Sequence, residues 1–174
     1  RTSSSAASDV YKRQISMSGN PDLYNYNLKT KKISRLTSHY GIDTEPAWSP
    51  DSKKLLFTSN RSGSPQIFEI KLSNKRIKRV TLEGSYNSRS RFFPDGRNIV
   101  FVHGNNGVFH IATRNLKERF INIVTETKLD ESPTISPNGH IIIYSAKKDD
   151  QGYLAGITFC LLYTSPSPRD SMTS

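Results

Sequence analysis

Apolar and polar residues along this chain alternate in short runs, and the runs recur. "EPAWSPDSKKLLFTS" at 45–59, "SRFFPDGRNIVFVHG" at 90–104 and "SPTISPNGHIIIYSA" at 132–146 share one order: a short strand, a Pro-centred turn, then a β-branched and aromatic strand. A second signature follows each time. "ISRLT" at 33–37, "IKRVT" at 77–81 and "INIVT" at 121–125 set Ile33, Ile77 and Ile121 in one column, 44 residues apart. Leu36, Val80 and Val124 keep the same spacing, and so do Thr37, Thr81 and Thr125. Ahead of each signature lies a third run, "DLYNYNL", "QIFEIKL" or "FHIATRNL", with Leu28, Leu72 and Leu116 in one column. Tyr24 and Tyr26 align with Phe68 and Ile70, an alternation that predicts a half-buried strand. Ala112 and Arg114 fill those columns in the third copy, which predicts the weakest strand there.

Each unit therefore reads as four antiparallel strands, and no stretch carries the period of an amphipathic helix. Short strands repeating every 40–45 residues or so are the spacing of propeller blades, each a four-stranded sheet set radially about an axis. The expected architecture is all-β: four-stranded antiparallel blades of a β-propeller at about 45–82, 89–125 and 132–159, preceded by the two outer strands of another at 22–38. The turns support it. Pro50, Pro94 and Pro137 fix φ, Asp51, Asp95 and Asn138 can accept bonds from the turn backbone, and Gly96 and Gly139 can take positive φ. Ser52 stands where the other copies have glycine. An incomplete arc of blades leaves sheet edges open, so the isolated chain is expected to be poorly stable or self-associating.

The repeat also marks its own limits. One period before Pro50-Asp51 stand Ala6-Ala7, and one period after Val124-Thr125 stand Pro168-Arg169 inside "CLLYTSPSPRDSMTS". Both flanks resemble translated sequencing-adapter read-through. Residues 15–159 are thus expected to form the blades, with 1–14 and 160–174 as non-native flanks without regular pairing to them.

Composition changes this picture little. The net charge of +10 raises nucleic acid as a partner, but Lys and Arg are scattered through turns and outer strands ("LKTKKISR", "SNKRIKR", "NLKER"). No basic stripe interleaved with aromatics forms, so nucleic-acid binding is not expected. Cys160 is the sole cysteine and lies in a flank, so 15–159 can hold neither a disulfide nor a thiolate metal site. No run of 18 apolar residues is present, and "RTSSSAASDVYKRQ" lacks the apolar core of a secretory signal.

The run "GIDTEPAWSPDSKKLLFTSNRSGSPQIFEIKL", with "RVTLEGSYN" and "LDESPTISPNGHIIIYSA", resembles the C-terminal propeller of the TolB family. The resemblance covers nearly all of 15–159 and is more specific than a generic blade repeat. It implies about three blades of an expected six, and a full-length gene that begins with a secretory signal. It further implies a non-catalytic periplasmic protein of the Tol-Pal system. Such propellers bind the lipoprotein Pal at the propeller mouth and relay to TolA, supporting outer-membrane integrity and constriction during division. Carried over to this chain, the Pal contact would use Asp43, Thr44 and Glu45, then Asn87, Ser88 and Arg89, then Asp130, Glu131 and Ser132. Several carboxylates on one rim would suit Lys or Arg on the partner, and Glu45→Lys would weaken binding while sparing the fold. The resemblance also allows calcium in the propeller channel. No compact D-x-D-x-D-G loop is present, so a metal would have to be gathered by separate loops.

The rival reading is the propeller of a prolyl-oligopeptidase-type serine peptidase. That chemistry needs a G-x-S-x-G elbow on an attached α/β-hydrolase domain, and the chain has none. His39, His103, His110 and His140 show no paired-ligand spacing and read as surface or turn residues. Trp48 shares an inner column with Phe92 and Ile135 and reads as core. No enzymatic activity is expected.

Overall fold

A Pro-Asp turn between two runs of β-branched and aromatic residues makes a tight hairpin, and this chain is built from such hairpins. The computed structural model describes residues 10–15, 20–148 and 151–159; for 10–15 only the backbone is considered. Strands β1 (Val10–Ile15), β2 (Asp22–Asn27) and β3 (Ile33–Arg35) form the first sheet. Strands β4 (Asp43–Trp48), β5 (Lys54–Ser59), β6 (Gln66–Lys71) and β7 (Arg76–Arg79) form the second. The third comprises β8 (Tyr86–Phe92), β9 (Asn98–Asn105), β10 (Val108–Asn115) and β11 (Asn122–Ile123). The fourth comprises β12 (Glu131–Ile135), β13 (Ile141–Lys148) and β14 (Gln151–Thr158). All neighbouring strands are antiparallel and sequential, and the first strands of consecutive sheets approach one another, β4 against β8 and β8 against β12.

The turns form as expected. Asp51, Asp95 and Asn138 each accept a bond through Oδ1 from the backbone N–H two residues on, at 3.1, 2.8 and 3.1 Å. Ser49 also donates to Asp51 at 2.6 Å, and that bond, with the Lys53 N–H, holds the Asp51 carboxyl below its ordinary range. Ser52, Gly96 and Gly139 all have positive φ, which costs the serine more than the glycines.

The threonine column has a structural cause. Thr37, Thr81 and Thr125 each accept, through Oγ1, the backbone N–H of Leu23, Ile67 and Ile111 at 3.0, 3.0 and 2.9 Å. The residue before each threonine donates its own N–H to the same strand: Leu36 to Leu23 O, Val80 to Ile67 O and Val124 to Ile111 O. This clip fastens the short fourth strand of each blade where ladder pairing runs out.

Three apolar clusters lie between consecutive sheets. Leu23 of the first sheet meets Leu55, Phe57, Phe68 and Ile70 of the second. Leu56, Ile67 and Val80 of the second meet Ile99, Phe101 and Ala112 of the third. Val100, Val102 and Ile111 of the third meet Ile142, Tyr144 and Ala146 of the fourth.

Several expectations need correction. The third strand of the second sheet is not half-buried: β6 is buried from Gln66 to Ile70, because a neighbouring sheet covers each face. Strand β10 is not weak, since it pairs with β9 over its whole length. Ala112 is buried within the cluster, and Arg114 is satisfied by Val80 O and by Glu118 O at 2.8 and 3.0 Å. The fourth sheet has three strands among the described residues, not four. At the other end, Val10–Ile15 pair with β2, so backbone pairing reaches into the segment expected to lack it. The rest of the two expected flanks, 1–9 and 160–174, lies outside the described residues. Trp48 is half-buried and packs on the cluster between the first and second sheets.

Candidate functional site

The first strand of each blade carries one extra residue at the same place. Near the turn, Trp48 pairs with Leu55 and Ala47 with Leu56, a register that would set Thr44 opposite Ser59. Thr44 instead pairs with Thr58, and the register shifts between Thr44 and Ala47. The same shift falls between Ser88 and Arg91 in β8, and between Glu131 and Thr134 in β12. At each bulge one non-glycine residue takes positive φ: Glu45 (53°), Arg89 (54°) and Ser132 (53°). A left-handed conformation at a side-chain-bearing residue costs about 1–2 kcal/mol. Three such residues at one repeat position mark a rim where the backbone is bent to re-aim side chains.

Side chains at the bulges join across blades. Glu45 accepts the Arg89 N–H at 2.9 Å and the Thr58 hydroxyl at 2.8 Å, both through Oε2. Its Oε1 lies 3.4 Å from Arg89 Nε. Arg89 Nη1 then donates to Glu131 Oε2 at 2.7 Å and to Ser132 Oγ at 2.6 Å. A single guanidinium thus links the inner strands of the second, third and fourth sheets.

Two clefts open at this end, one between the second and third blades and one between the third and fourth. The first, of about 170 Å³, is lined by residues including Ile42, Thr44, Glu45, Thr58 and Tyr86. The second, of about 150 Å³, is lined by Tyr86, Ser88, Arg89, Val102, Phe109 and Glu131. Tyr86 belongs to both and packs edge-on against Phe109, their ring centres 5.3 Å apart.

Of the residues expected to form the rim, Thr44, Glu45, Ser88, Arg89, Glu131 and Ser132 are brought to this end. Asp43, Asn87 and Asp130 stand beside them in the chain but are fully buried, and Ser88, although it lines the second cleft, is buried too. Asp43 pairs with Arg61 at 2.6 Å, and Asp130 accepts the Thr127 hydroxyl at 2.6 Å. Asn87 donates to Gln66 Oε1 at 2.9 Å and to Glu83 O at 2.8 Å. Their backbones explain the burial. Asp43, Asn87 and Asp130 donate their N–H groups to the carbonyls of Pro21, Pro65 and Phe109 on the preceding blade, tying sheet to sheet.

The expected ring of free carboxylates therefore does not form. Glu45 and Glu131 are already engaged by Arg89, and Asp43 and Asp130 are turned inward. Lysine at position 45 would face Arg89 and leave its N–H only the Thr58 hydroxyl at 3.3 Å, so Glu45→Lys should destabilise the fold, contrary to expectation. The same geometry bears on calcium. The guanidinium of Arg89 sits between the two rim carboxylates, so these two do not share a cation. Among the described residues no group of three His, Cys, Asp or Glu is placed to hold a metal ion. These residues do not fit a calcium site.

His103 also departs from expectation. It is buried between the second and third sheets, with Nδ1 2.9 Å from Asn87 Oδ1, and His110 is its cross-strand partner. Burial pushes its pKa below the ordinary value, the nearby His110 adds to this, and Glu83 opposes it. Gly84 has positive φ and lies so close to the His103 ring that a side chain there would collide with it.

Thr58, Tyr86, Phe109 and Arg61 were not legible as rim or support residues. Tyr86 had a signal: it shares a column with Ile42 and Leu129, both exposed large apolar residues immediately before the bulged strand. Thr58 had none, because its pairing depends on the bulge.

The model of the TolB beta propeller domain matches residues 10–160. The chain belongs to the TolB beta-propeller family. It is 50% identical over 50 residues to the Tol-Pal system protein TolB of Hydrogenovibrio crunogenus, a stretch covering 29% of this chain and 12% of that protein. The TolB of Nitrosococcus oceani is 44% identical over 50 residues, with the same shares. Among solved structures, TolB from Acinetobacter baumannii superposes with a TM-score of 0.79 at 38% identity, covering 86% of this chain and 38% of that one. The chain thus spans well under half the length of these relatives.

Proposed function

We propose that this chain is the propeller portion of a non-catalytic, periplasmic Tol-Pal protein that binds the lipoprotein Pal at the bulged rim. In the whole protein this contact would be relayed to TolA and would support outer-membrane integrity and constriction during division. Family membership and the relatives' designation as Tol-Pal system proteins support the reading. The observation that carries it is the repeated left-handed bulge, which aligns Glu45, Arg89 and Glu131–Ser132 beside two partly apolar clefts. Rigid blades with chemically varied, strained positions at one end are a scaffold for recognition.

The partner chemistry differs from a simple basic patch. Glu45, Arg89 and Glu131 pair with one another, and Glu131 is the most exposed of the three, its side chain 60% exposed. Calorimetric titration of Pal against the complete protein carrying Glu131→Lys tests this. Affinity should fall by at least about tenfold, while stability falls by about 1 kcal/mol or less, as for loss of an exposed ion pair. Unchanged affinity would remove the rim from the Pal contact.

A further inference from the structure

Asparagine followed by glycine stands at two hairpin tips, at opposite ends of the blades: Asn106–Gly107 between β9 and β10, and Asn138–Gly139 between β12 and β13. Such a pair is chemically unstable when the glycine nitrogen can reach the side-chain carbonyl of the asparagine, because glycine has no Cβ to hinder the approach. Whether it reacts depends on what holds those two groups in the fold.

At Asn138–Gly139 both are held. Asn138 Oδ1 accepts the His140 N–H at 3.1 Å and the Ser136 hydroxyl at 2.6 Å. The Gly139 N–H donates to Ser136 O at 2.8 Å, and Gly139 is buried against the Pro94 ring. At Asn106–Gly107 neither is held. Asn105 pairs with Val108, and the residues between them take φ of 50° and 79°, the positive values of a type I′ hairpin. Both are exposed, and a Cβ on Gly107 would meet nothing within 4 Å. Among the described residues the Gly107 N–H has no acceptor and the Asn106 amide no hydrogen-bond partner. This tip belongs to the third sheet, whose faces are covered by the second and fourth, so further blades in the arc would not reach it.

We propose that Asn106 is a site of spontaneous deamidation, and that the fold selects it over Asn138. The Gly107 nitrogen loses its proton and attacks Asn106 Cγ. The N–Cγ bond forms, the Cγ–Nδ2 bond breaks, and Nδ2 leaves as ammonia, taking up the proton that Gly107 gave. Water then opens the cyclic imide at either carbonyl, giving aspartate, or isoaspartate with the main chain rerouted through Cγ. A tip without tertiary contacts opens at little cost, whereas Asn138–Gly139 must first give up its hydrogen bonds. Either product adds a negative charge, and isoaspartate also lengthens the loop. Next along the hairpin, Gly104 pairs with both Phe109 and Tyr86, whose rings line the second cleft, so the modification falls beside the bulged rim. The chemistry does not rest on the Pal reading.

Ageing the complete protein at mildly alkaline pH, followed by tryptic peptide mapping with mass spectrometry, tests the proposal. Asn106 and Asn138 fall in different peptides, 98–114 and 129–147, and fragment ions separate Asn106 from Asn98 and Asn105. In the native protein Asn106 should convert more than about tenfold faster than Asn138. In urea the two rates should converge, because both residues precede glycine and the fold no longer distinguishes them. Enzymatic methylation of isoaspartyl carboxylates should label the first peptide of the aged native protein and not the second. Asn106→Gln, whose longer side chain would have to close a larger ring, should abolish the labelling while leaving position 138 as it was. Native protein in which Asn106 stays intact, or converts no faster than Asn138, overturns the proposal.

Discussion

The two ends of the blades are built on opposite plans. At the turn end, Asp51, Asp95 and Asn138 bond only within their own hairpin, each to the N–H two residues along and to a nearby side chain, and each hairpin closes within its own sheet. At the bulged end, Glu45, Arg89 and Ser132 share a backbone conformation but differ in chemistry, and they bond to neighbouring blades. Repetition of both backbone and side chain marks a folding device. A repeated backbone with varied side chains marks a place where the scaffold is held constant while its chemistry is free to serve recognition.

The comparison implies that substitutions at the bulged end should cost more, because they leave buried groups unpaired or unmake contacts between sheets. The largest effect is expected for Arg61→Met. It strips the partner from the buried Asp43 carboxylate and removes a guanidinium lying 5.2 Å from the centres of both the Phe57 and Phe68 rings. Leaving a buried charge unpaired costs about 3–5 kcal/mol, and urea unfolding should show a loss of that order.

Glu45→Ala comes next, since it removes the nearer acceptor of the Arg89 N–H and the acceptor of the Thr58 hydroxyl; about 1–3 kcal/mol is expected. Asp51→Ala at the turn end removes one local acceptor from an exposed N–H, worth about 0.5–1 kcal/mol. Measured side by side in denaturant, equal costs for these two would break the contrast between the ends.

A pH series sharpens it further. Buried His103 binds a proton less readily than in the unfolded chain. Protonation therefore favours unfolding once the pH falls below about 6.5, the ordinary histidine value. Stability from this site is full above that pH and declines as the pH drops. Melting curves of His103→Gln should fall less steeply than wild type between about pH 6.5 and 5; parallel curves would show that the interface does not feel this titration. The smallest effect is a gain. Ser52→Gly should relieve a positive φ at the turn end and stabilise by about 0.5–1 kcal/mol, read as a raised denaturant midpoint.

Much of the fold was legible because its causes are local or periodic. The Pro-Asp turns appear at their expected residues, and the Ile, Leu/Val and Thr columns correspond to the fourth strand and its clip to the third. The site was legible only in outline. Loop positions 43–45, 87–89 and 130–132 do fall at equivalent places, but periodicity could not say that 43, 87 and 130 point inward while 45, 89 and 132 form the rim.

By itself the sequence determined the blade unit, its period, its turns and its family, because pattern, turn chemistry and spacing are carried by residues near one another in the chain. Only the tertiary structure decided the remainder. One extra residue in the first strand of each blade resets its pairing, and a neighbouring sheet supplies the partner of each buried polar group. Arg89 meets Glu45 and Glu131 across distances of 44 and 42 residues in sequence. No local rule joins groups so far apart; the packing of three inner strands against one another does.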